Sequence, residues 1–215
     1  IKNERHLPLP LPLFIKPVDA ANGNGIDENS LVHDFASYEA KIKEIFSIYG
    51  VPALVEEYLP GREFTVAVLD DPSRNSRLIS PVEIIVSENT KGDRILGAKE
   101  KAGNNEKLLN LNKSEKAVVS ELAGKVFSAL GIQDFGRIDI KMDAMGIPYF
   151  MEANLIPGMT PETSYFPRAC FSNQGMWHQE VVLKITELAL IRSETPANTP
   201  PNDLLRISPT RKIAA

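Results

Sequence analysis

Two runs in the second half of the chain, FGRIDIKMD and PYFMEAN, alternate polar and apolar residues with a period of two. Only a β-strand sends successive side chains to opposite faces, so each run reads as a strand with one covered face. In the first, Arg137, Asp139 and Lys141 alternate with Ile138, Ile140 and Met142; in the second, Phe150, Glu152 and Asn154 alternate with Tyr149, Met151 and Ala153. With residues 143–146 as a four-residue turn, Met142 faces Ile147, Asp139 faces Phe150 and Arg137 faces Glu152. Cross-strand partners share a face, so Arg137, Asp139, Glu152 and Asn154 project from one side of the hairpin. Two carboxylates, an amide oxygen and a guanidinium gathered there suit hard divalent cations and phosphate oxygens. Without a cation, the two carboxylates raise one another's pKa. The plainer alternative is a solvated polar face with a surface Arg–Glu pair worth at most about 1 kcal/mol.

Two further segments carry chemistry. Phe14-Ile15-Lys16-Pro17 leads into a Gly/Asn-rich stretch over residues 18–26, where an ammonium and several backbone N–H groups can meet phosphates. It is not a P-loop, because Lys16 precedes the glycines and no Gly-Lys-Ser/Thr follows; taken alone, the Asn-Gly pairs read equally as turns. The run VEEYLPGRE puts Glu56 and Glu57 at a strand end and Glu63 just past a Pro60-Gly61 turn. By itself it reads equally as a charged hairpin tip.

Around these segments helices and strands intermix. Strands are expected over 12–16, 52–57, 62–69 and 78–86. A helix over 37–49 presents Ile42, Ile45, Phe46 and Tyr49 on one face. A second helix runs from a Ser114 cap to Leu130, with Val119, Leu122, Ala123, Val126, Phe127 and Leu130 inward and Gly131 as its stop. The last covers about 176–192, and its apolar positions and Trp177 read as core. Residues 87–113 are polar and read as a long functional loop. The order indicates an α+β protein with largely antiparallel sheets. Half of the sixteen prolines flank this body, marking 1–11 as a Pro-rich lead-in and 193–215 as a flexible tail.

Composition narrows the function classes. The 215 residues hold 24 Lys+Arg against 28 Asp+Glu, a net charge of −4, which argues against a nucleic-acid surface. No apolar run approaches the roughly 20 residues needed to cross a bilayer. Cys170 is the one cysteine, so no intrachain disulfide forms, and a reducing compartment is the easier reading. His6, His33 and His178 show no ligand spacing; with Cys170 they read as structural.

The order FIKP, Gly-rich loop, VEEYLPGREFTVAVL, GRIDI and EANLIPGMTPETS resembles the ATP-grasp ligases, and within them the D-alanine–D-alanine ligase family. The resemblance runs from about residue 12 to residue 192, and the set Asp139, Glu152, Asn154 and Pro157-Gly158-Met159-Thr160 is its most specific part. It implies an ATP-grasp fold of two α+β lobes, 12–59 and 60–192, holding ATP between them. Lys16 would then contact the α- and β-phosphates, with residues 20–25, Asn22 and Gly23 among them, closing over the triphosphate. Glu56 and Glu57 would lie at the adenine end, Glu56 accepting from the amino group and the Leu59 N–H meeting a ring nitrogen, while Glu63 takes the ribose hydroxyls. Asp139, Glu152 and Asn154 resemble the ligands of two Mg²⁺ ions, with Mn²⁺ as an alternative.

The implied reaction is carboxylate–amine ligation through an acyl phosphate, as in D-alanyl-D-alanine synthesis for peptidoglycan. Arg137 and the Gly158 N–H would stabilise the oxyanion, Thr163 and Ser164 would hold the second amino acid's carboxylate, and Lys99 would reach the γ-phosphate when its loop closes. By the same resemblance the protein is a cytoplasmic homodimer without nucleic-acid or membrane partners. Two departures bear on substrate: Asn22-Gly23 stand where the family often has a Ser pair, and Glu100 where it usually has Tyr. The family's amino-terminal domain is expected ahead of Ile1, so the alternatives are a ligase for other amino acids or small carboxylates, or a nucleotide-binding fragment inactive without that domain.

Overall fold

A computed structural model describes residues 7–19, 23–89, 92–97 and 106–194. Its elements are β1 (Leu13–Pro17), β2 (Leu31–Val32), α1 (Phe35–Tyr49), β3 (Ala53–Glu57), β4 (Glu63–Asp71), β5 (Ser76–Ile85), β6 (Lys107–Asn110), α2 (Lys113–Ala129), β7 (Phe135–Met142), β8 (Pro148–Asn154), α3 (Tyr165–Gln174) and α4 (His178–Glu194). They build a three-stranded sheet, β2-β1-β3, and a five-stranded sheet, β6-β5-β4-β7-β8, with every pairing antiparallel. The chain is α+β, as its order of elements implied.

In the small sheet, alternation sends Leu13 and Ile15 against α1, where Val32 and Ile45 complete a core. The inward stripe of α1 differs from expectation. It holds Tyr38, Ile42 and Ile45 together with Lys41, only 1% exposed, whereas Phe46 is 67% exposed. A lysine reads as solvent-facing, yet Lys41 Nζ lies 2.9 Å from both oxygens of Asp27 and 3.2 Å from Glu44. With its charge matched, its methylene stem can occupy a core position and rotate Phe46 outward. The helix is capped by Asp34, whose carboxylate accepts from Ser37 N–H at 2.7 Å, and stops at Gly50.

Both faces of the large sheet are covered. Phe64, Val66, Val68, Ile138 and Ile140 pack on Val119, Ala123 and Phe127 of α2. Ala67, Leu69 and Val82 pack on Phe166, Ala169 and Cys170 of α3 and on Val181 and Leu188 of α4. That two-sided burial explains the unbroken apolar run in β4. Helix α2 begins two residues earlier than a Ser114 cap implies. Asn112 caps it by accepting from the Glu115 N–H while Glu115 reaches back, a reciprocal capping box. Leu130 lies at its exposed end. Helix α3 was not expected, and neither was β6 inside the polar stretch 87–113. Trp177, expected in the core, is exposed and packs on Phe171 with ring centroids 4.5 Å apart.

The β7–β8 hairpin has a different register from the expected one. Asp139 pairs with Glu152 and Arg137 with Asn154. Two local events cause the shift. The Asp143 side chain accepts from the N–H groups of Met145 and Ile147, both at 2.8 Å, holding a turn one residue longer than expected, with Met142 opposite Pro148, and a bulge interrupts the ladder beyond Asp139. Together they displace the pairing at Asp139 and Arg137 by two residues, an even number. Glu152 and Asn154 therefore stay on the expected face, while Phe150 pairs with Ile140 on the opposite one.

Candidate functional site

A cleft of about 870 Å³, including its open mouth, lies between the two sheets. One wall comes from the small sheet: Phe14 and Lys16 alternate with buried Leu13 and Ile15, and Glu56, Glu57, Tyr58 and Leu59 continue the wall out of β3. The other comes from β4, β5, β7 and β8, through Glu63, Ile84, Asp139, Lys141, Met151 and Glu152. The strand period that buries Phe64, Ile138 and Ile140 against α2 is what turns Glu63, Thr65, Asp139 and Lys141 to this side.

Seven of the residues singled out from sequence line this cleft: Lys16, Glu56, Glu57, Leu59, Glu63, Asp139 and Glu152. Arg137 and Asn154 adjoin it through direct bonds to Asp139. Gly23 is buried in a tight turn whose carbonyl accepts from Ile26 N–H at 3.0 Å, and Ile26 reaches the cleft instead. Gly158, Thr163 and Ser164 lie on the loop ahead of α3, off the cleft lining. There the Ser164 hydroxyl accepts from Thr160 N–H at 2.9 Å. Asn22, Lys99 and Glu100 lie outside the described residues.

The floor of the cleft carries the densest charge. Arg137 donates to both oxygens of Asp139, Nε at 3.0 Å and a terminal nitrogen at 2.7 Å, with Glu152 3.8 Å away. Thr65 donates its hydroxyl to Asp139 at 2.7 Å, and Asn154 Nδ2 lies 3.3 Å from Asp139 and 3.0 Å from Glu152. Burial pushes the Asp139 carboxyl above its ordinary range, against the opposing pull of Arg137 and Thr65. Desolvation thus outweighs the pair, so this is a carboxylate that a further cation would relieve. Arg137 lies over the Tyr165 ring, 5.6 Å from its centroid, and burial raises the Tyr165 hydroxyl pKa.

At the opposite end, Lys16 Nζ is 2.8 Å from Glu56, and Lys141 Nζ is 2.8 Å from Glu63. Among the described residues no three His, Cys, Asp or Glu side chains form a metal cage. Two carboxylates and an amide oxygen instead match the partial ligand set that Mg²⁺ takes when phosphate oxygens and water complete its shell. The donor set fits a metal–nucleotide pair better than a metal alone. Sequence reasoning passed over Tyr58, Thr65, Tyr165 and Lys141. Lys141 carried a signal, since it shares the alternating face of Arg137 and Asp139, while Tyr165 sits on a helix that periodicity did not reveal.

Residues 2–187 match the family profile described as D-ala D-ala ligase C-terminus. The chain belongs to the D-alanine–D-alanine ligase family. Within that family, a D-alanine–D-alanine ligase of Thermotoga petrophila is 31% identical over 192 residues, which span 88% of this chain and 60% of that protein. Among solved structures, the VanG D-Ala:D-Ser ligase of Enterococcus faecalis superposes with a TM-score of 0.65 at 26% identity, covering 84% of this chain and 50% of that one. A Bacillus anthracis D-alanine–D-alanine ligase complexed with ATP superposes at a TM-score of 0.62 and 24% identity, over 86% and 54% of the two chains. The fold is the ATP-grasp fold of this family. The chain spans about three-fifths of the curated relative from Thermotoga petrophila. No helix among the described residues is long and apolar enough to cross a membrane.

Proposed function

We propose that this chain is the nucleotide-binding portion of an ATP-dependent carboxylate–amine ligase that joins two amino acids, D-alanine first among the candidates. The observation that carries the reading is the convergence of Lys16, Glu56, Leu59, Glu63, Asp139 and Glu152, drawn from two separate sheets, on one cleft. Its two lobes are residues 12–59 and 60–192. A cleft walled by apolar Phe14, Ile84, Ile95, Leu96 and Met151 and tipped with carboxylates and cations at its ends suits a purine flanked by polar groups.

In this reading Lys16 leaves Glu56 to meet phosphate oxygens, and Glu56, with Glu57 beside it, turns to the adenine amino group near the Leu59 N–H. Glu63 accepts from the ribose hydroxyls. Asp139, Glu152 and Asn154 would hold Mg²⁺, which when bound neutralises phosphate charge and aligns the transferring group. Arg137, fixed by Asp139 and the Tyr165 ring, holds a guanidinium beside the reacting centre, where charge develops as an amine attacks an acyl phosphate. Gly158, Thr163 and Ser164 present backbone and hydroxyl donors from the neighbouring loop to substrate carboxylates, and Lys99 adds a cation when its segment closes over the γ-phosphate. The assembled protein is a cytoplasmic homodimer.

Phosphate release from ATP with Mg²⁺ and D-alanine, measured on the full-length protein, tests the reading, with mass analysis of the product. Turnover with D-alanine supports it; absence of turnover with every amino-acid pair refutes it. Glu100 and Asn22-Gly23, which depart from the family pattern, favour a second reading in which the same chemistry serves another amino acid or small carboxylate. A product mass other than that of the alanine dipeptide selects that reading.

A further inference from the structure

Lys141 is a cation of the cleft to which the nucleotide reading gives no role. Among the described residues, five carboxylates line it, Glu56, Glu57, Glu63, Asp139 and Glu152, against three cations, Lys16, Arg94 and Lys141. Lys16 is engaged by Glu56 and Arg94 by Glu88. Lys141 stands directly across the ladder from Glu63 and donates to its Oε2 at 2.8 Å. Both side chains are largely sheltered, at 17% and 27% exposure.

The backbone under this pair is held firmly. Gly61 N–H donates to Met142 carbonyl at 3.0 Å and Met142 N–H to Arg62 carbonyl at 2.9 Å. Arg62 is in turn bonded to Glu83 through two nitrogens, at 2.8 and 2.6 Å, and also to Glu115. The two Cα positions are therefore fixed before any ligand arrives, and the ion pair sets the rotamer of Glu63. An exposed pair would contribute little. A sheltered, pre-oriented, charge-assisted one directs the carboxylate.

We infer that Lys141 is a positioning residue: it holds one oxygen of Glu63 so that the other accepts from both hydroxyls of the nucleotide ribose, making the cleft selective for a ribonucleotide over its deoxy analogues. This rests on the nucleotide reading above and adds to it the residue that enforces sugar recognition. Such selectivity requires a carboxylate that does not swing, because a mobile one accepts equally from whichever hydroxyl remains.

Calorimetric titration of the chain with Mg²⁺ and ATP, 2′-deoxyATP or 3′-deoxyATP tests it. The parent is expected to bind ATP about tenfold more tightly than either deoxynucleotide, the equivalent of one charge-assisted bond. In Lys141→Met that ratio falls to about one, ATP binding weakening while deoxynucleotide binding holds; Lys141→Arg restores it, and Lys141→Met adds no further loss in a Glu63→Gln background. Lys141→Gln serves if the Met variant folds poorly. A ratio left intact in Lys141→Met and Lys141→Gln, or equal weakening of all three nucleotides, overturns the inference alone. Failure of the parent to bind ATP overturns it together with the nucleotide reading.

Discussion

At the scale of single residues, the cleft floor depends on carboxylates that have no substitutes nearby. Asp139 is tied to Arg137 and Thr65, and Glu152, more exposed, stands opposite it on β8. Glu152→Ala is expected to reduce turnover of the full-length protein below a tenth of the parent, because the other acid beside Asn154, Asp139, is already committed to Arg137 and Thr65; phosphate release measures this. Cys170 shows the contrasting case of a titratable group without a role. It is fully buried among Ala67, Phe166 and Val181, and burial pushes its pKa up to about 12. The thiolate is the reactive form, so at pH 8 alkylation is expected only after denaturant is added, as mass spectrometry would read. His178 Nε2 lies 2.8 Å from the Met159 carbonyl, joining α4 to the loop ahead of α3. Lys41 and Lys141 were hard to interpret from sequence for one reason: a lysine's burial depends on a carboxylate brought from elsewhere in the chain, by Asp27 or Glu63.

At the scale of elements, strands with one buried face were legible because alternation has no competing explanation. What periodicity could not reveal was where a ladder slips. The lengthened turn at Asp143 and the bulge beyond Asp139 are local hydrogen-bonding choices that leave no hydrophobic signature. Helix α3 was missed because its buried residues, Tyr165, Phe166, Pro167, Ala169 and Cys170, form nearly a continuous block rather than a stripe. The start of β4 gives a test of how firmly an element fixes the site. A Cβ on Gly61 would lie 2.5 Å from the carbonyl oxygens of both Met142 and Asp143, backbone atoms that cannot step aside. Gly61→Ala is therefore expected to destabilise the fold by about 1–3 kcal/mol, seen in urea unfolding. It should also weaken ATP binding, because Glu63 begins the strand that must shift.

For the whole molecule, the cleft exists only where two separately built sheets face one another. A ligand that spans both walls stabilises the folded state by mass action, by about 2.7 kcal/mol at a hundredfold excess over its Kd. Mg²⁺ with ATP is expected to raise the melting temperature of this chain by several degrees, and Asp139→Ala to abolish the rise; differential scanning fluorimetry checks both. Sequence by itself determined the α+β class, the antiparallel strands and the shared face of Arg137, Asp139, Glu152 and Asn154, since these follow from side-chain period along one segment. The motif order also carried the family. Tertiary structure alone decided the register at Asp139, the burial of Lys41, the helix that places Tyr165 beneath Arg137, and the meeting of Lys16 and Glu56 with Glu63 and Asp139 across one cleft. Those features depend on contacts between segments distant in the chain, whose energies are set by what each side chain finds opposite it and not by its own neighbours in sequence.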